Sequence, residues 1–281
     1  MRGPHPVRHG VDGHEARGIV PLTVTGAGLT DTGAVRASNE DSVVVVVPED
    51  VQRVREKGVL AVVADGMGGH AGGEVASSIA TARVTEAYYA APGPPQQSLL
   101  LAFELANRQI YDLARRSRGL AGMGTTCTAV AVVNGLAYSA HVGDSRAYLI
   151  RDGQIYCMTE DHSVTGQMVK RGILTPAQAR EHEERHVILR AMGTHTELEA
   201  DCWNPPFPVR SGDRLLLCSD GLCERIEDRE LAAIASGREP EPACRELIRI
   251  AVERVSSDNV SAAVLQLRGP MTASTGIAGL R

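Results

Sequence analysis

The chain has 281 residues, 43% of them hydrophobic, which is enough for one large domain or two small ones around a sizeable core. Its formal charge of -5, its 3% of aromatic residues and the lack of a lysine- or arginine-rich run argue against a nucleic-acid surface. The longest apolar runs, such as 43–47 and 127–133, fall far below the roughly 20 residues of a membrane-spanning helix. Because the first residues also lack the apolar segment of a signal sequence, we predict a cytoplasmic protein. We further predict a monomer that binds neither nucleic acid nor membrane.

The two ends of the chain differ in composition from its middle. Residues 1–21 are rich in Gly, Pro, His and Arg without periodicity, and residues 268–281 are mostly small or polar. Segments of this kind bury too little apolar surface to fold. We therefore predict a disordered leader over 1–21, one domain over 22–267 and a flexible tail over 268–281.

The first part of that domain is predicted to contain strands and then two helices. Apolar and β-branched runs predict three strands, which are expected from Leu22, over 42–47 and over 59–64. The charged stretch 49–57 is expected to be a loop. From Glu74 the pattern becomes helical for two long segments, separated by the breaker 91–95. In the second segment one face is apolar through Phe103, Ala106, Ile110 and Leu113.

The rest of the domain returns to strands. Two Asx-Gly hairpin signals, at 134–135 and 152–153, fall among four apparent strands: 126–133, 136–142, 147–151 and 154–158. We predict that these strands form an antiparallel meander. A polar flap is expected at about 160–195, followed by a strand, a helix with an apolar stripe and a closing strand: 214–218, 244–255 and 260–267. Without βαβ alternation, this order predicts an α+β layered fold with helices covering antiparallel sheet.

Acidic residues recur at the ends of the predicted strands: Glu40, Asp41, Asp65, Asp144, Asp220 and Asp258. Strands in layered sheets end at common rims, so several of these side chains could converge, and converging carboxylates stay ionised only beside a cation. Because all the candidate ligands are oxygens, Mg²⁺ or Mn²⁺ is favoured over zinc. For any one of these residues, capping of a helix or loop is the simpler alternative.

Two further groups of polar residues bear on the chemistry. Arg36 is the cation near these acids in sequence; its planar fork fits two phosphate oxygens, and a surface salt bridge to Glu40 or Asp41 is the alternative. Metal ligands beside an arginine suggest phosphoryl chemistry. The histidines of the predicted flap are expected to be solvated polar residues: His162, His182, His186 and His195.

Short motifs over 22–267 resemble, in order, those of the metal-dependent serine/threonine protein phosphatases (PPM, or type 2C) in their compact bacterial form. They are TGAVR at 32–36 with NEDS at 39–42, VADGMGGH at 63–70, GTT at 124–126, VGDSR at 142–146, EDHS at 160–163, CSDGL at 218–222 and SDNV at 257–260. The resemblance implies a four-layer α-β-β-α sandwich, in which two antiparallel sheets are flanked by helix pairs, with a flap insertion.

The resemblance also implies two tightly bound Mn²⁺ or Mg²⁺ ions. By position, Asp65 would bridge both ions, and the carbonyl of Gly66 would bind the second. Asp220 and Asp258 would hold the first ion, and Glu40 would serve the second directly or through water.

Three further roles follow from the same resemblance. Asp41 would orient metal-bound waters, and Arg36 would bind the substrate phosphate. Asp144, together with Asp220, matches the position of a third, weaker metal. Animal members place a histidine, proposed as a general acid, two residues after the bridging aspartate, whereas this chain has Met67, so the leaving oxygen must be protonated by another group.

The activity implied is hydrolysis of phosphoserine or phosphothreonine by a hydroxide that bridges two metals, with Arg36 on the phosphate. The expected partners are phosphoproteins, and the expected setting is signal transduction opposite a serine/threonine kinase or in an anti-sigma regulatory pathway. The alternative is a catalytically silent protein of the same fold that binds regulators.

Overall fold

The computed structural model describes residues 22–68 and 72–269, so the predicted leader and all but two residues of the predicted tail lie outside the described residues. A short 3₁₀ helix, Arg118–Leu120, lies between two of the main elements. In chain order these are β1 (Thr23–Asp31), β2 (Asp41–Val46), α1 (Val51–Glu56), β3 (Val59–Met67), α2 (Gly72–Ala90), α3 (Pro95–Arg116), β4 (Gly124–Thr125), β5 (Cys127–Val133), β6 (Leu136–Val142), β7 (Arg146–Arg151), β8 (Gln154–Cys157), α4 (Val164–Lys170), α5 (Pro176–Glu181), β9 (Phe207–Pro208), β10 (Arg214–Cys218), α6 (Asp220–Cys223), α7 (Asp228–Gly237), α8 (Pro240–Glu253) and β11 (Val260–Arg268).

The strands form two antiparallel sheets that pack face to face. The first sheet has the order β1-β11-β10-β7-β8, and the second has the order β2-β3-β5-β6-β9, with β4 paired to β3. One core lies between the sheets, a second lies under α2 and α3, and a third lies under α7 and α8. The predicted four-layer α-β-β-α sandwich is therefore confirmed.

The apolar face predicted for the second long helix is the face that α3 buries. Phe103, Ala106 and Ile110 are fully buried in the core beneath it, and Leu113 packs at the margin of that core. Pro95 stands at the start of α3, where a missing backbone N–H costs nothing, and α2 ends before the Gly and Pro residues of 91–95. The breaker and the apolar stripe together fix where this helix starts and how it is rotated.

Two local predictions were wrong, and one helix was not predicted. Residues 49–57 are not a loop, because the Asp50 side chain accepts the N–H of Arg53 and caps α1. The strand expected to end before Asp65 continues to Met67, so that Asp65 lies within β3. Helix α7 was not predicted; its buried face consists of Leu231, Ala232, Ile234 and Ala235.

The predicted meander was also wrong in its middle connection. The two hairpin turns do form, with φ of 50° at Asn134 and 52° at Asp152, and they join β5 to β6 and β7 to β8. However, β6 belongs to the second sheet and β7 to the first. The residues between them, 143–145, cross from one sheet to the other and carry Asp144 to the rim that both sheets share.

Within 22–68 and 72–269, none of the helices is both long enough and apolar enough to span a bilayer.

Burial on α3 predicts unequal effects of two leucine truncations. Leu99 is fully buried, whereas Leu101 is 42% exposed on the same helix. Leu99→Ala should lower the free energy of unfolding by about 2–5 kcal/mol, because it removes buried methyl groups and leaves a cavity. Leu101→Ala should change it by less than about 0.5 kcal/mol. Urea unfolding of both variants measures the difference, and equal losses would contradict this packing.

Candidate metal centre and flap

The predicted acidic residues meet at one rim of the two sheets. Asp41 and Asp65 are direct partners in the register between β2 and β3. Asp144 lies in the crossing between the sheets, Asp220 begins α6 directly after β10, and Asp258 precedes β11. The layered fold thus gathers acidic residues that are far apart in the sequence.

The charges of these carboxylates act on one another. Burial raises the pKa of Asp65 well above its ordinary value, and the negative charges of Asp41, Asp220, Asp144 and Asp258 raise it further. Burial also raises the pKa of Asp144, and Asp220 adds to the effect. Burial and like-charge repulsion therefore act together on the carboxylates of this rim.

Asp41 links the two sheets at the rim. Its Oδ2 accepts hydrogen bonds from the hydroxyls of Ser219, at 2.7 Å, and Ser261, at 2.6 Å, both of which belong to the first-sheet side. Burial raises the pKa of Asp41 to about 7, although these two hydrogen bonds oppose the shift. Its Oδ1 is buried without a hydrogen-bond partner among the described residues, and so is Oδ1 of Asp220. Two orphaned carboxylate oxygens therefore remain at the rim.

Asn259 fixes the loop that carries Glu40. Its Nδ2 donates to the carbonyl oxygens of Thr32 and Ser38, each at 2.9 Å, while its Oδ1 accepts the backbone N–H of Glu40 at 2.8 Å. One amide thus holds three points of the segment 32–40. No role was predicted for Asn259, and the motif SDNV at 257–260 was the available signal.

Arg36 lies beside the acidic rim and pairs with Asp258, not with Glu40 or Asp41. Its Nη2 is 2.7 Å from Asp258 Oδ2, and its Nε donates to the carbonyl of Ser257 at 3.3 Å. The side chain is 49% exposed, and within the described ranges its Nη1 makes no hydrogen bond. The guanidinium is anchored at one edge and accessible at the other.

The backbone at Gly66 leaves no space for a side chain. A Cβ there would lie 2.1 Å from the carbonyl oxygen of Gly73 and 2.5 Å from that of Glu40. The N–H of Gly66 donates to the same Glu40 carbonyl at 3.1 Å. A glycine is needed for this close approach of β3, α2 and the Glu40 segment.

Thr126 positions the backbone of Asp65. Its Oγ1 accepts the N–H of Asp65 at 2.9 Å and lies 2.7 Å from Oγ of Ser145, while its own N–H donates to the Asp65 carbonyl at 2.8 Å. The threonine therefore links the strand of Asp65 to the crossing that carries Asp144. This function of Thr126 was not predicted, and the GTT motif at 124–126 was the available signal.

The flap covers a cavity of about 810 Å³ beside the rim. Its wall includes cationic and acidic side chains, among them Arg146, which pairs with Asp161 through Nη2 at 2.7 Å and Nε at 2.9 Å. Of the predicted site residues, only Asp144 and Asp220 line this cavity. The cavity is thus adjacent to the acidic centre and does not enclose it.

His162 is not the solvated residue that was predicted, because only 4% of it is exposed. Its ring Nδ1 accepts the backbone N–H of Gly143 at 3.1 Å, and its backbone N–H donates to the Gly143 carbonyl at 2.7 Å. The ring Nε2 lies 3.2 Å from Asp201 Oδ2. Burial lowers the pKa of His162. The base of the flap is therefore clamped to the residue preceding Asp144.

His186 is exposed but has acidic neighbours. Its Nδ1 lies 3.7 Å from Asp220 Oδ2 and 3.9 Å from Glu224 Oε1. His186 is therefore solvated, as predicted, but its position beside two acidic side chains was not predicted.

The donor set at the rim fits hard divalent cations. Carboxylates from both sheets converge, two of their oxygens are buried without partners, and the close backbone packing at Gly66 brings peptide groups into the same region. Oxygen ligands of this kind suit Mg²⁺ or Mn²⁺. Asp65, Gly66, Asp220, Asp258 and Glu40 are the residues that would hold such ions.

Comparison with known proteins identifies the family to which this layered fold and its acidic rim belong. Residues 36–263 match the sequence profile of the protein phosphatase 2C family. This chain belongs to that family.

Among individual relatives, the serine/threonine protein phosphatase PstP of Mycobacterium tuberculosis is 35% identical over 246 residues, which cover 87% of this chain and 45% of the relative. The chain thus spans about half the length of that protein. A crystal structure of the PstP catalytic domain in complex with two manganese ions has a TM-score of 0.76 at 34% identity and covers 88% of this chain and all of its own. The serine/threonine phosphatase Stp1 of Staphylococcus aureus has a TM-score of 0.78 at 30% identity, covering 96% of this chain and 100% of its own.

The raised pKa of Asp41 predicts a pH dependence in the metal-free protein. Because the pKa rises from 3.8 to about 7 on folding, protonated Asp41 favours the folded state, and this contribution is full below about pH 3.8 and lost as the pH rises through about 7. The wild-type protein in chelator should therefore lose stability over that range. The asparagine of Asp41→Asn cannot titrate, so this variant should lose less stability over the same range. The slope of its free energy of unfolding against pH should be smaller by the equivalent of about one proton.

Urea unfolding of both proteins as a function of pH measures this difference. Asp152→Asn is the matched control, because Asp152 is a 78% exposed side chain on a hairpin turn. Parallel curves for wild type and Asp41→Asn would show that Asp41 does not carry the raised pKa.

Proposed function

We propose that this protein is a Mn²⁺- or Mg²⁺-dependent protein serine/threonine phosphatase that hydrolyses phosphoserine and phosphothreonine. The observation that supports it most is the rim itself, where buried carboxylates from two sheets carry orphaned oxygens beside the accessible guanidinium of Arg36. Membership of the protein phosphatase 2C family and the manganese-bound relative point to the same activity.

Each rim residue has a distinct part in the proposal. Asp65 would hold two cations, Asp220 and Asp258 would hold the first, and Glu40 and the Gly66 carbonyl would serve the second. When bound, such cations supply an activated water nucleophile at neutral pH and neutralise charge on the phosphoryl group.

The remaining polar groups would orient water and hold the metal ligands in position. Asp41, held by Ser219 and Ser261, would keep its free Oδ1 directed at the centre and orient water there. Asn259 and Thr126 would hold Glu40 and Asp65 in place through their backbones. These side chains act by fixing geometry, which is a large part of catalysis in phosphoryl transfer.

Arg36 would bind the substrate phosphate. Its Nη2 and Nε are engaged by Asp258 and Ser257, which places the exposed edge of the guanidinium next to the predicted metal ligands. A phosphate held there would lie between the arginine and the rim. Asp144 and Asp220, which line the flap cavity, would share a third and weaker cation.

The substrates we propose are phosphoproteins, which the relatives' designation as serine/threonine protein phosphatases supports. We further propose that the protein acts as a cytoplasmic monomer and reverses the signalling of a serine/threonine kinase. The catalytically silent alternative requires a centre that cannot support turnover, and the intact set of carboxylates speaks against it.

The decisive experiment is release of phosphate from a phosphothreonine peptide with saturating Mn²⁺. Asp65→Asn should abolish it, because an amide cannot supply the charge that two cations need from a shared ligand. Circular dichroism in chelator should show an unchanged fold. The exposed Asp152→Asn serves as control and should keep wild-type activity.

Two results would contradict the proposal in different ways. If wild type binds Mn²⁺ but releases no phosphate, the silent alternative is correct. If Asp65→Asn keeps more than a few per cent of wild-type activity, another residue holds the shared position.

Substitution of Arg36 tests the phosphate clamp. Arg36→Ala should lower kcat/KM by roughly ten- to a hundred-fold, or about 1.5–3 kcal/mol, mainly by raising KM, because a charge-assisted pair holds the phosphate in ground and transition states alike. Arg36→Lys keeps the charge but loses the planar fork, so it should recover only part of the loss. Unchanged kinetics of Arg36→Ala would make Arg36 a partner of Asp258 alone.

A further inference from the structure

One group of potential metal ligands combines Asp220, which is already assigned to the proposed phosphatase centre, with two residues that are not, His186 and Glu224. Among His, Cys, Asp and Glu side chains in 22–68 and 72–269, only His186, Asp220 and Glu224 bring one ligand atom each within 4.8 Å of the other two. His186 comes from the flap, and the two acids come from α6 and the residue that ends it. The group therefore bridges the flap and the domain beneath it.

The local sequence of α6 explains why the two carboxylates are neighbours. Asp220 and Glu224 are four residues apart, and the N–H of Glu224 donates to the Asp220 carbonyl at 2.9 Å, which completes a helical turn. Side chains at this spacing share one face, and like charges there repel each other. A cation between them would offset the repulsion.

The contacts of these carboxylates with the protein are long or missing. In the described part of the chain, Oδ1 of Asp220 is buried without a hydrogen-bond partner. The nearest cationic groups are His186 Nδ1, at 3.7 and 3.9 Å from the two acids, and Arg185 Nε, at 3.6 Å from Glu224. These distances exceed those of direct charge-assisted hydrogen bonds.

We propose that His186, Asp220 and Glu224 form a flap metal site for Zn²⁺ or another divalent ion of that class. An imidazole nitrogen with two carboxylate oxygens is a ligand set typical of zinc, whereas Mg²⁺ prefers oxygen alone. Zinc bonds of about 2.0–2.1 Å in a tetrahedron place ligand atoms roughly 3.4 Å apart. His186 Nδ1, at 3.7 and 3.9 Å from the two carboxylates, would need only a small closing movement of the flap, while side-chain rotation would bring together the two carboxylate oxygens, which lie within 4.8 Å of each other.

The ion would tie the flap to α6 through a residue shared with the phosphatase centre. Oδ2 of Asp220 faces His186, while its buried Oδ1 remains for the rim. Zinc at the flap site should therefore fix the flap over the adjacent cavity and draw charge from a proposed catalytic ligand. The site itself follows from the three side chains; only this effect on turnover rests on the proposed function.

Calorimetric titration of the metal-free protein with Zn²⁺ in excess Mg²⁺ tests the site. Excess Mg²⁺ competes for oxygen-only positions and leaves the imidazole-bearing one to zinc. Wild type should bind one zinc ion that His186→Ala and Glu224→Gln bind at least about ten-fold more weakly, since loss of a direct ligand should cost no less than loss of a supporting residue. The control His182→Ala, four residues earlier on the flap, should bind as wild type does.

The same titrations in an Asp65→Asn background separate this site from the catalytic proposal. The zinc ion that depends on His186 should persist there even though turnover is lost. Equal zinc binding by wild type and His186→Ala would overturn the proposal, and so would an equal loss in His182→Ala. Co²⁺ absorption provides a second readout, since a four-coordinate site with His186 gives a visible band that His186→Ala should lack.

Discussion

The repulsion among carboxylates that two sheets bring to one rim is the constraint on which the rest of this structure depends. Asp65, for example, is repelled by the negative charges of four other carboxylates: Asp41, Asp220, Asp144 and Asp258. Burial strengthens each of these repulsions, because the surroundings screen the charges less than water does. A fold optimised only for stability would separate these groups. The sandwich keeps them together, so the rim has a standing affinity for positive charge, whether protons at low pH or metal ions at neutral pH.

The scaffold holds this repulsive cluster with neutral hydrogen bonds. Ser219 and Ser261 bind one oxygen of Asp41 and leave the other free, while Asn259 and Thr126 engage backbone groups and leave the carboxylates of Glu40 and Asp65 untouched. A lysine or arginine in these positions would neutralise the rim and remove its need for a cation. Arg36 is the exception, and it lies at the exposed edge, where a negatively charged substrate can reach it.

The features of the fold that depend on local sequence pattern could be predicted from the sequence. Strand runs, the breaker before α3 and acidic residues at strand ends were all visible, and the motif order indicated the sandwich. The crossing between β6 and β7 was not, because hairpin signals report which strands turn and not which sheet the next strand joins. Asn259 was missed for a related reason: its partners Thr32 and Glu40 lie more than two hundred positions away. The candidate ligands were predicted, but the groups that position them were not.

Asp220 connects the two halves of the site. It begins α6 at the end of β10, with one oxygen buried toward the rim and the other facing His186 on the flap. His162 clamps the base of the same flap to Gly143, directly before Asp144. The flap is thus hydrogen-bonded to the residue before Asp144 and places His186 within 3.7 Å of Asp220. The charge of the acidic centre therefore acts on the flap at close range, through residues that lie between the strands or at their ends.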